Sequence, residues 1–397
     1  MPVPSISEFL KVLSDSQLLS AKSLRQIAEQ VRTAPSGLSL ARLINSLLKA
    51  GVLTGYQVQR LLSGHSDGFY LGKYKLFDVL GQGGMGTVYL AEQTTLNRLV
   101  AIKIITNFAD CLPETRIRFE REARAAASLS HPNIVQAYDC DEIDGVPYIA
   151  MEYVEGIDAV QQIERFGKLP WRQAADYMLQ AALGLEHARL HCLVHRDIKP
   201  ANLLIATDGT VKLLDLGLCL LTDDPNDMLR TRDLQVGTVD YMAPEQALDC
   251  HAVDTRADIY SLGCVFYTLL AGCLPFQAKN SAQKLLMHQT AHPRPIHQRR
   301  HDLPTPISDI IHTMMEKRPE DRFQTPGIVA EALKPWAERS VPPFPLDAIT
   351  RQRERLLSVL GRAPKLSSID VGQQLRGLGS EGRPVRDHRR DALASRN

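Results

Sequence analysis

The sequence predicts an α+β fold: a small, mainly antiparallel β lobe with one helix and a larger α-helical lobe, preceded by a small all-α module. Three observations predict it. Residues 1–68 carry apolar side chains at helical spacing, short β-prone runs take over from about Tyr70, and beyond Met151 the helical pattern returns. Strands first and helices later segregate into two packed lobes.

In the N-terminal module, Phe9, Leu10 and Leu13, then Leu24, Ile27 and Val31, then Leu40, Leu43, Ile44, Leu47 and Leu48 form apolar stripes. Leu18-Leu19-Ser20 followed by Leu24 and Ile27 resembles Val52-Leu53-Thr54 followed by Val58 and Leu61, with Ser20 and Thr54 placed as N-caps. We read this as what any capped amphipathic helix shows, because repeat architectures need at least three units. The apolar faces exceed what so small a unit usually buries alone, so residues 1–68 are expected to be an interaction or regulatory element with a protein partner.

The β lobe is expected from runs at 74–80, 87–92 and 99–105, interrupted by one helix over 116–129. Helices are expected at 171–188, 259–271 and 307–315. These elements make up a second domain over 74–336. Residues 337–397, with Val-Pro-Pro-Phe-Pro from Val341 and Arg-Asp-His-Arg-Arg from Arg386, read as a Pro- and Arg-rich, mostly disordered tail.

Composition narrows the function classes. The 397 residues carry a formal net charge of +1, which calls for neither nucleic acid nor an anionic membrane as the main partner. Seven cysteines with no C-x-x-C pair argue against a disulfide framework or a zinc ribbon and fit a reducing setting. The N-terminus lacks a secretory pattern, and the most apolar stretch, 260–276, is interrupted by Gly263, Gly272 and Pro275. A cytoplasmic location and a buried helix are the expectations.

The chemistry sits in a few short segments. Gly81-Gln82-Gly83-Gly84-Met85-Gly86-Thr87-Val88 lies between two predicted strands, where glycines let a hairpin backbone approach a polyphosphate. A dinucleotide site would need a helix directly afterwards, and a strand follows instead. Val100-Ala101-Ile102-Lys103 places a lysine in an apolar strand, so its ammonium needs anions: phosphates, and an acid on the next helix, Glu122 or its competitor Glu120.

His195-Arg196-Asp197-Ile198-Lys199-Pro200-Ala201-Asn202 reads as a catalytic loop between two short strands, one at Leu193-Val194 and one at 203–205. Asp197 suits a hydroxyl proton, Lys199 a transferring phosphoryl group, and Asn202 a metal through its carbonyl oxygen. Asp215, at the end of the apolar Lys212-Leu213-Leu214, is the kind of hard oxygen ligand that Mg²⁺ prefers.

Glycine loop, Val-Ala-Ile-Lys, His-Arg-Asp with its downstream Asn, Asp-Leu-Gly and Ala243-Pro244-Glu245, in this order over about 74–335, resemble the eukaryotic-type (Hanks-type) serine/threonine protein kinase family. Gly-Gly-Met-Gly and the Glu-Gln after Ala-Pro look most like its bacterial members. The resemblance implies the bilobal kinase fold, ATP and Mg²⁺ as cofactors, and protein serine or threonine hydroxyls as acceptors. It implies Lys103 on the phosphates, Glu122 as its ion-pair partner, Asp197 as base, and Asn202 and Asp215 as Mg²⁺ ligands. It further implies Val88 and Ala101 in the nucleotide pocket, Met151 as gatekeeper, and Glu152 to Val154 as the hinge that binds adenine. Lys199 points to the serine/threonine branch.

Scaffold roles follow from the same resemblance: Thr238 beside Asp197 and Lys199, Asp258 at the start of the central helix, and Arg322 paired with Glu245. His131 reads as a packing and turn residue. Leu216 stands where the family usually has phenylalanine, and Tyr260 where it usually has tryptophan. Arg196 next to Asp197 marks kinases ordered by an activation-loop phosphate, and Thr231, between Arg230 and Arg232, is the expected autophosphorylation site. The rival classes are a kinase-shaped scaffold, whose mark would be loss of Lys103, Asp197 or Asp215, and a small-molecule phosphotransferase, which would lack the Ala-Pro-Glu segment.

Overall fold

Hydroxyl side chains start the helices of the N-terminal segment. Ser5, Ser20, Ser39 and Thr54 each accept the N–H three residues on, opening α1 (Ile6–Asp15), α2 (Ala21–Thr33), α3 (Leu40–Lys49) and α4 (Gly55–Leu62). The computed structural model describes residues 4–34, 38–83, 86–105, 127–216, 239–248 and 253–339. These group into two compact units, one running through Leu71 and taking in Leu76–Asp78, the other holding Gly72–Lys75 and the residues from Val79 on.

The first unit is built twice on one plan. Ser5 and Ser39 are 34 residues apart, as are Ser20 and Thr54, and α1 shifted by that interval coincides with α3 at both ends. Buried Phe9, Leu13 and Ile27 match buried Leu43, Leu47 and Leu61, and Gln17 and Gly51 share a left-handed backbone at φ 55° and 63°. The likeness seen in the sequence therefore goes beyond shared capping chemistry. The expected surplus of apolar face is small: these side chains close one core with Leu18, Leu53, Val58 and Phe69, and Leu62 and Tyr70 are the large apolar residues exposed in this unit among the described residues. A short strand, β1 (Tyr70–Leu71), follows.

In the second unit, apart from Leu76–Asp78 of β2, the strands β2 (Tyr74–Gly83), β3 (Gly86–Gln93), β4 (Arg98–Ile105), β5 (Ala137–Ile143) and β6 (Val146–Glu152) follow the sheet order β2-β3-β4-β6-β5. The pairs β3/β4, β4/β6 and β5/β6 are antiparallel. Gly86 cannot be replaced cheaply: at φ 145°, a Cβ there would sit 1.9 Å from the Ile104 carbonyl oxygen. A second sheet joins β7 (Gly156–Asp158), β8 (Leu203–Ala206) and β9 (Val211–Leu213).

The helices are α5 (Ala159–Phe166), α6 (Trp171–Leu190), α7 (Thr255–Ala271), α8 (Ser281–Thr290), α9 (Thr305–Met314) and α10 (Pro326–Leu333). From Ala257 to Ala271 α7 is buried all round, which accounts for its membrane-like composition. No helix among the described residues is long and apolar enough to cross a membrane. Gly263 lets α7 and α9 touch, since a Cβ would come 2.8 Å from that of Met314.

The expected strand at Leu193-Val194 does not form. Leu193 instead closes the end of α6 through its N–H on the Ala188 carbonyl, and the outer edge of β9 is taken by Asn133 to Val135, so no strand edge is left for it. Gly84, Met85, Glu120, Glu122, Thr231, Thr238, all but the last residues of the 116–129 helix, and the tail from residue 340 lie outside the described residues.

Candidate active site

Antiparallel register brings together the residues expected on the nucleotide side. Val88 pairs with Lys103, and Ala101 pairs with Met151, so their side chains lie on adjacent strands. Ala101, Ile105, Ile149 and Met151 make a small apolar cluster against which Val88 packs. At the end of β6, the Glu152 carboxylate is held by Lys212 at 2.9 Å and by the Gln136 N–H at 3.3 Å. Glu152 thereby anchors the chain entering Tyr153 and Val154, an ion pair that the sequence reading missed. Its signal was a lysine inside the short apolar run of β9.

Lys103 is buried, and its ammonium lies 2.8 Å from Asp215 Oδ2. The anion it needs is thus supplied, among the described residues, by the acid at the end of β9. Asp215 adopts a left-handed backbone at φ 57°, a conformation that costs an aspartate little, and remains partly exposed. Leu216 turns inward and packs with Leu129, Ile134 and Ala188.

The loop expected to be catalytic, residues 195–202, is held through its backbone. Asp258, wholly buried near the start of α7, accepts the His195 and Arg196 N–H groups at 2.8 Å each. Burial pushes its carboxyl up, against the opposing pull of His195 and Arg196. His195 bridges on: Nε2 donates to the Leu214 carbonyl at 2.7 Å, and Nδ1 faces the Asp197 N–H at 3.4 Å. Gln246 adds a third tie, accepting from the Ala243 N–H and donating to the Arg196 carbonyl at 2.9 Å. Sequence reasoning treated this glutamine only as family wording.

On that frame Asp197 Oδ2 receives Lys199 Nζ at 2.8 Å and Asn202 Nδ2 at 3.0 Å. Neither bond uses Oδ1. Asn202 Nδ2 also donates to the Asp197 carbonyl, and the Leu214 N–H donates to the Asn202 carbonyl, tying the Asp197 and Asp215 segments together. With Nδ2 so engaged, Asn202 keeps its Oδ1 as an acceptor. Arg322, without exposed side-chain surface, pairs bidentately with Glu245 at 2.7 and 2.8 Å. Arg196, at φ 67°, has its Nε buried with no hydrogen-bond partner among the described residues. His131 is a turn and packing residue, accepting the Asn133 N–H and stacking on His187.

One open cavity of about 400 Å³ lies apart from these groups, between Arg189, Cys192, Val194, Arg256 and Gln324. Its arginines are spent on Glu186 and Asp254, which leaves it little pull on anions.

The family model described as "Protein kinase domain" matches residues 74–334. The serine/threonine-protein kinase PknB of Mycobacterium leprae is 36% identical over 257 residues, 64% of this chain and 41% of that protein. Serine/threonine-protein kinase PknF of Mycobacterium tuberculosis is 38% identical over 274 residues, 68% of this chain and 57% of that protein. The chain therefore spans about half the length of these curated relatives. Among solved structures, the Mycobacterium tuberculosis PknI kinase domain superposes with a TM-score of 0.54 at 29% identity, over 68% of this chain and 98% of that one.

Proposed function

Because the chain belongs to the protein kinase family, we propose that it transfers the γ-phosphoryl group of ATP to serine or threonine hydroxyls of proteins, its own included. The observation that carries this reading is the joint placement of Asp197, Lys199 and Asn202 on one bonded cluster, tied through Leu214 to the Lys103–Asp215 pair.

The acceptor hydroxyl gives its proton to Asp197, for which Oδ1 is the oxygen not already engaged by Lys199 and Asn202. Its oxygen forms the new bond to the γ-phosphorus as the bond to the β–γ bridging oxygen breaks, and ADP leaves. Lys199 neutralises charge on the moving phosphoryl group and Lys103 holds the α- and β-phosphates. Gly81, Gln82, Gly83, Gly84, Met85 and Gly86 are assigned to the phosphates, and Val88, Ala101 and Met151 to the adenine side, with the backbone from Glu152 to Val154 as hinge. Asn202 Oδ1 and the Asp215 carboxylate form the hard donor set that would hold Mg²⁺. When bound, the ion neutralises the β- and γ-phosphate oxygens.

Glu122 is assigned as the ion-pair partner of Lys103, and Thr231 as the site whose phosphate pairs with Arg196. The buried Arg196 Nε, without a hydrogen-bond partner among the described residues, supports the second assignment. Residues 74–336 carry the reaction, and 1–68 form a separate regulatory domain.

The test is phosphate transfer from labelled ATP to the protein itself and to a generic basic protein, for wild type beside Asp197→Asn. Transfer to serine or threonine is expected to fall by about 10²- to 10⁴-fold in the variant, the span for loss of a general base. Nucleotide binding without transfer in the wild type would instead make the protein a scaffold.

A further inference from the structure

Arg196 carries backbone strain within the 195–202 loop. Its φ of 67° lies in the left-handed region, where the Cβ of an arginine crowds the following carbonyl oxygen. A residue keeps such a conformation only where its surroundings over-determine it. Here each backbone group of Arg196 is held by a side chain from a later part of the sequence. Asp258 Oδ1 accepts the N–H at 2.8 Å, and Gln246 Nε2 donates to the carbonyl at 2.9 Å.

The Arg196 carbonyl shares one planar peptide unit with the Asp197 N–H, which faces His195 Nδ1 at 3.4 Å. Gln246 on one edge of that plane and His195 on the other resist its rotation, and the plane sets the direction in which the Asp197 side chain leaves the backbone. Relaxing Arg196 toward an ordinary conformation turns the plane and carries the Asp197 carboxylate away from Lys199 and Asn202.

Gln246 is mounted on a fixed turn. Its N–H donates to the Ala243 carbonyl at 3.1 Å, and its Oε1 accepts the Ala243 N–H at 3.0 Å. The preceding residue, Glu245, is pinned by Arg322, whose N–H groups also go to the Glu316, Arg256 and Lys317 carbonyls. Both ends of the Gln246 amide are therefore in use, and reversing it would set donor against donor and oxygen against oxygen. An amide at this place does what neither a carboxylate nor an apolar side chain of the same length can do.

We propose that Gln246 is a positioning residue for phosphoryl transfer: its amide holds the Arg196–Asp197 peptide plane against the strain at Arg196 and thereby aims the Asp197 carboxylate at the acceptor hydroxyl. The proposal rests on the kinase reading for what Asp197 does. It joins the base to the turn that carries Ala243 and Glu245.

The experiment compares the full chain with Gln246→Met, which keeps length and loses both polar ends, and with Gln246→Glu, which keeps the acceptor for the Ala243 N–H and loses the donor to Arg196. The kinetic constants for ATP and for an acceptor peptide are measured separately, with Kd for Mg-ATP by calorimetry, the melting temperature, and amide exchange over residues 195–202. In both variants kcat is expected to fall about ten- to hundred-fold, the effect of a reacting group set off its line. Exchange at 195–202 should quicken, while Kd and KM for ATP stay within about two-fold, as for a contact that counts in the transition state alone.

A Gln246→Glu variant as active as wild type would overturn the proposal, because the side chain would then serve only the turn at Ala243. Unchanged exchange in Gln246→Met would do the same, as would a loss of kcat matched by parallel losses of ATP affinity and melting temperature, the mark of a merely structural residue. Should Gln246→Met not fold, Gln246→Glu decides by the same criteria. A wild type that binds Mg-ATP but transfers no phosphate sinks the kinase reading alone, because exchange over 195–202 still tests whether Gln246 holds the loop.

Discussion

Asp258 touches no substrate in the proposed reaction, yet it holds two consecutive backbone N–H groups of the catalytic loop. In Asp258→Asn one of those N–H groups meets an amide donor, a mismatch of about 1–3 kcal/mol in a buried site. We expect kcat to fall about ten-fold or more with KM for ATP little changed, since the loop loses its alignment with the acceptor. Steady-state kinetics in both substrates checks it; a normal kcat would show that the loop holds its shape without this acid. Arg322 is the complementary case, a buried cation with Glu245 as its counter-ion. Arg322→Met should cost about 3 kcal/mol or more, because it strands Glu245. Denaturant unfolding reads this directly. Both residues were legible in the sequence only through family resemblance, because no local pattern tells a paired buried charge from a solvated one. Gln246 gave no local signal and Lys212 only that of a charge in an apolar run, because their partners, Arg196 and Glu152, lie 50 and 60 residues away.

At the scale of elements, alternation and glycine placement carried most of the information. The three predicted strands of the β lobe appear with their ends extended by a few residues, since strand ends follow pairing partners more than propensity. The β2–β3 turn depends on Gly86, whose added Cβ would collide with the Ile104 carbonyl. Gly86→Ala is therefore expected to raise KM for ATP about ten-fold or more, the order of a distortion placed beside the phosphates. A near-normal KM would mean that the turn tolerates a shifted strand. Leu216 takes the inward place expected of it, and Leu216→Ala should cost about 2–5 kcal/mol as a buried leucine truncation. Thermal unfolding is the measurement. The failed strand at Leu193-Val194 has the opposite lesson: an apolar pair forms a strand only where a neighbouring edge is open.

Across the second unit as a whole, one acid-sensitive contact joins the central helix α7 to α8. Tyr260 stands beneath Arg322 and donates its hydroxyl to His288 Nδ1 at 2.9 Å, with Lys317 donating to the same hydroxyl at 3.4 Å. Burial first, then the positive charges of Lys317 and Lys284, hold the His288 imidazole down to about 3. The unfolded chain takes up this proton near pH 6.5 and the folded chain only near 3, so the stability that depends on neutral His288 is whole above 6.5 and drains as pH falls toward 3. His288→Gln should make the loss of stability between pH 7 and 4.5 shallower than in wild type. Equal slopes in urea unfolding at those pH values would place the acid sensitivity elsewhere.

By itself the sequence determined the order of strands and helices, the positions of α6, α7 and α9 and the residues proposed for catalysis, because periodicity, glycine and the spacing of charged residues within short loops are local properties. It also held the 34-residue repeat, although two copies could not be told from common capping chemistry until helix ends and left-handed residues coincided. Only the tertiary structure decided that Asp215 lies against Lys103, which carbonyl Gln246 holds, and which charges are buried. Each of these joins residues far apart in the chain, and their energies come from desolvation and geometry that exist only once the chain has closed on itself.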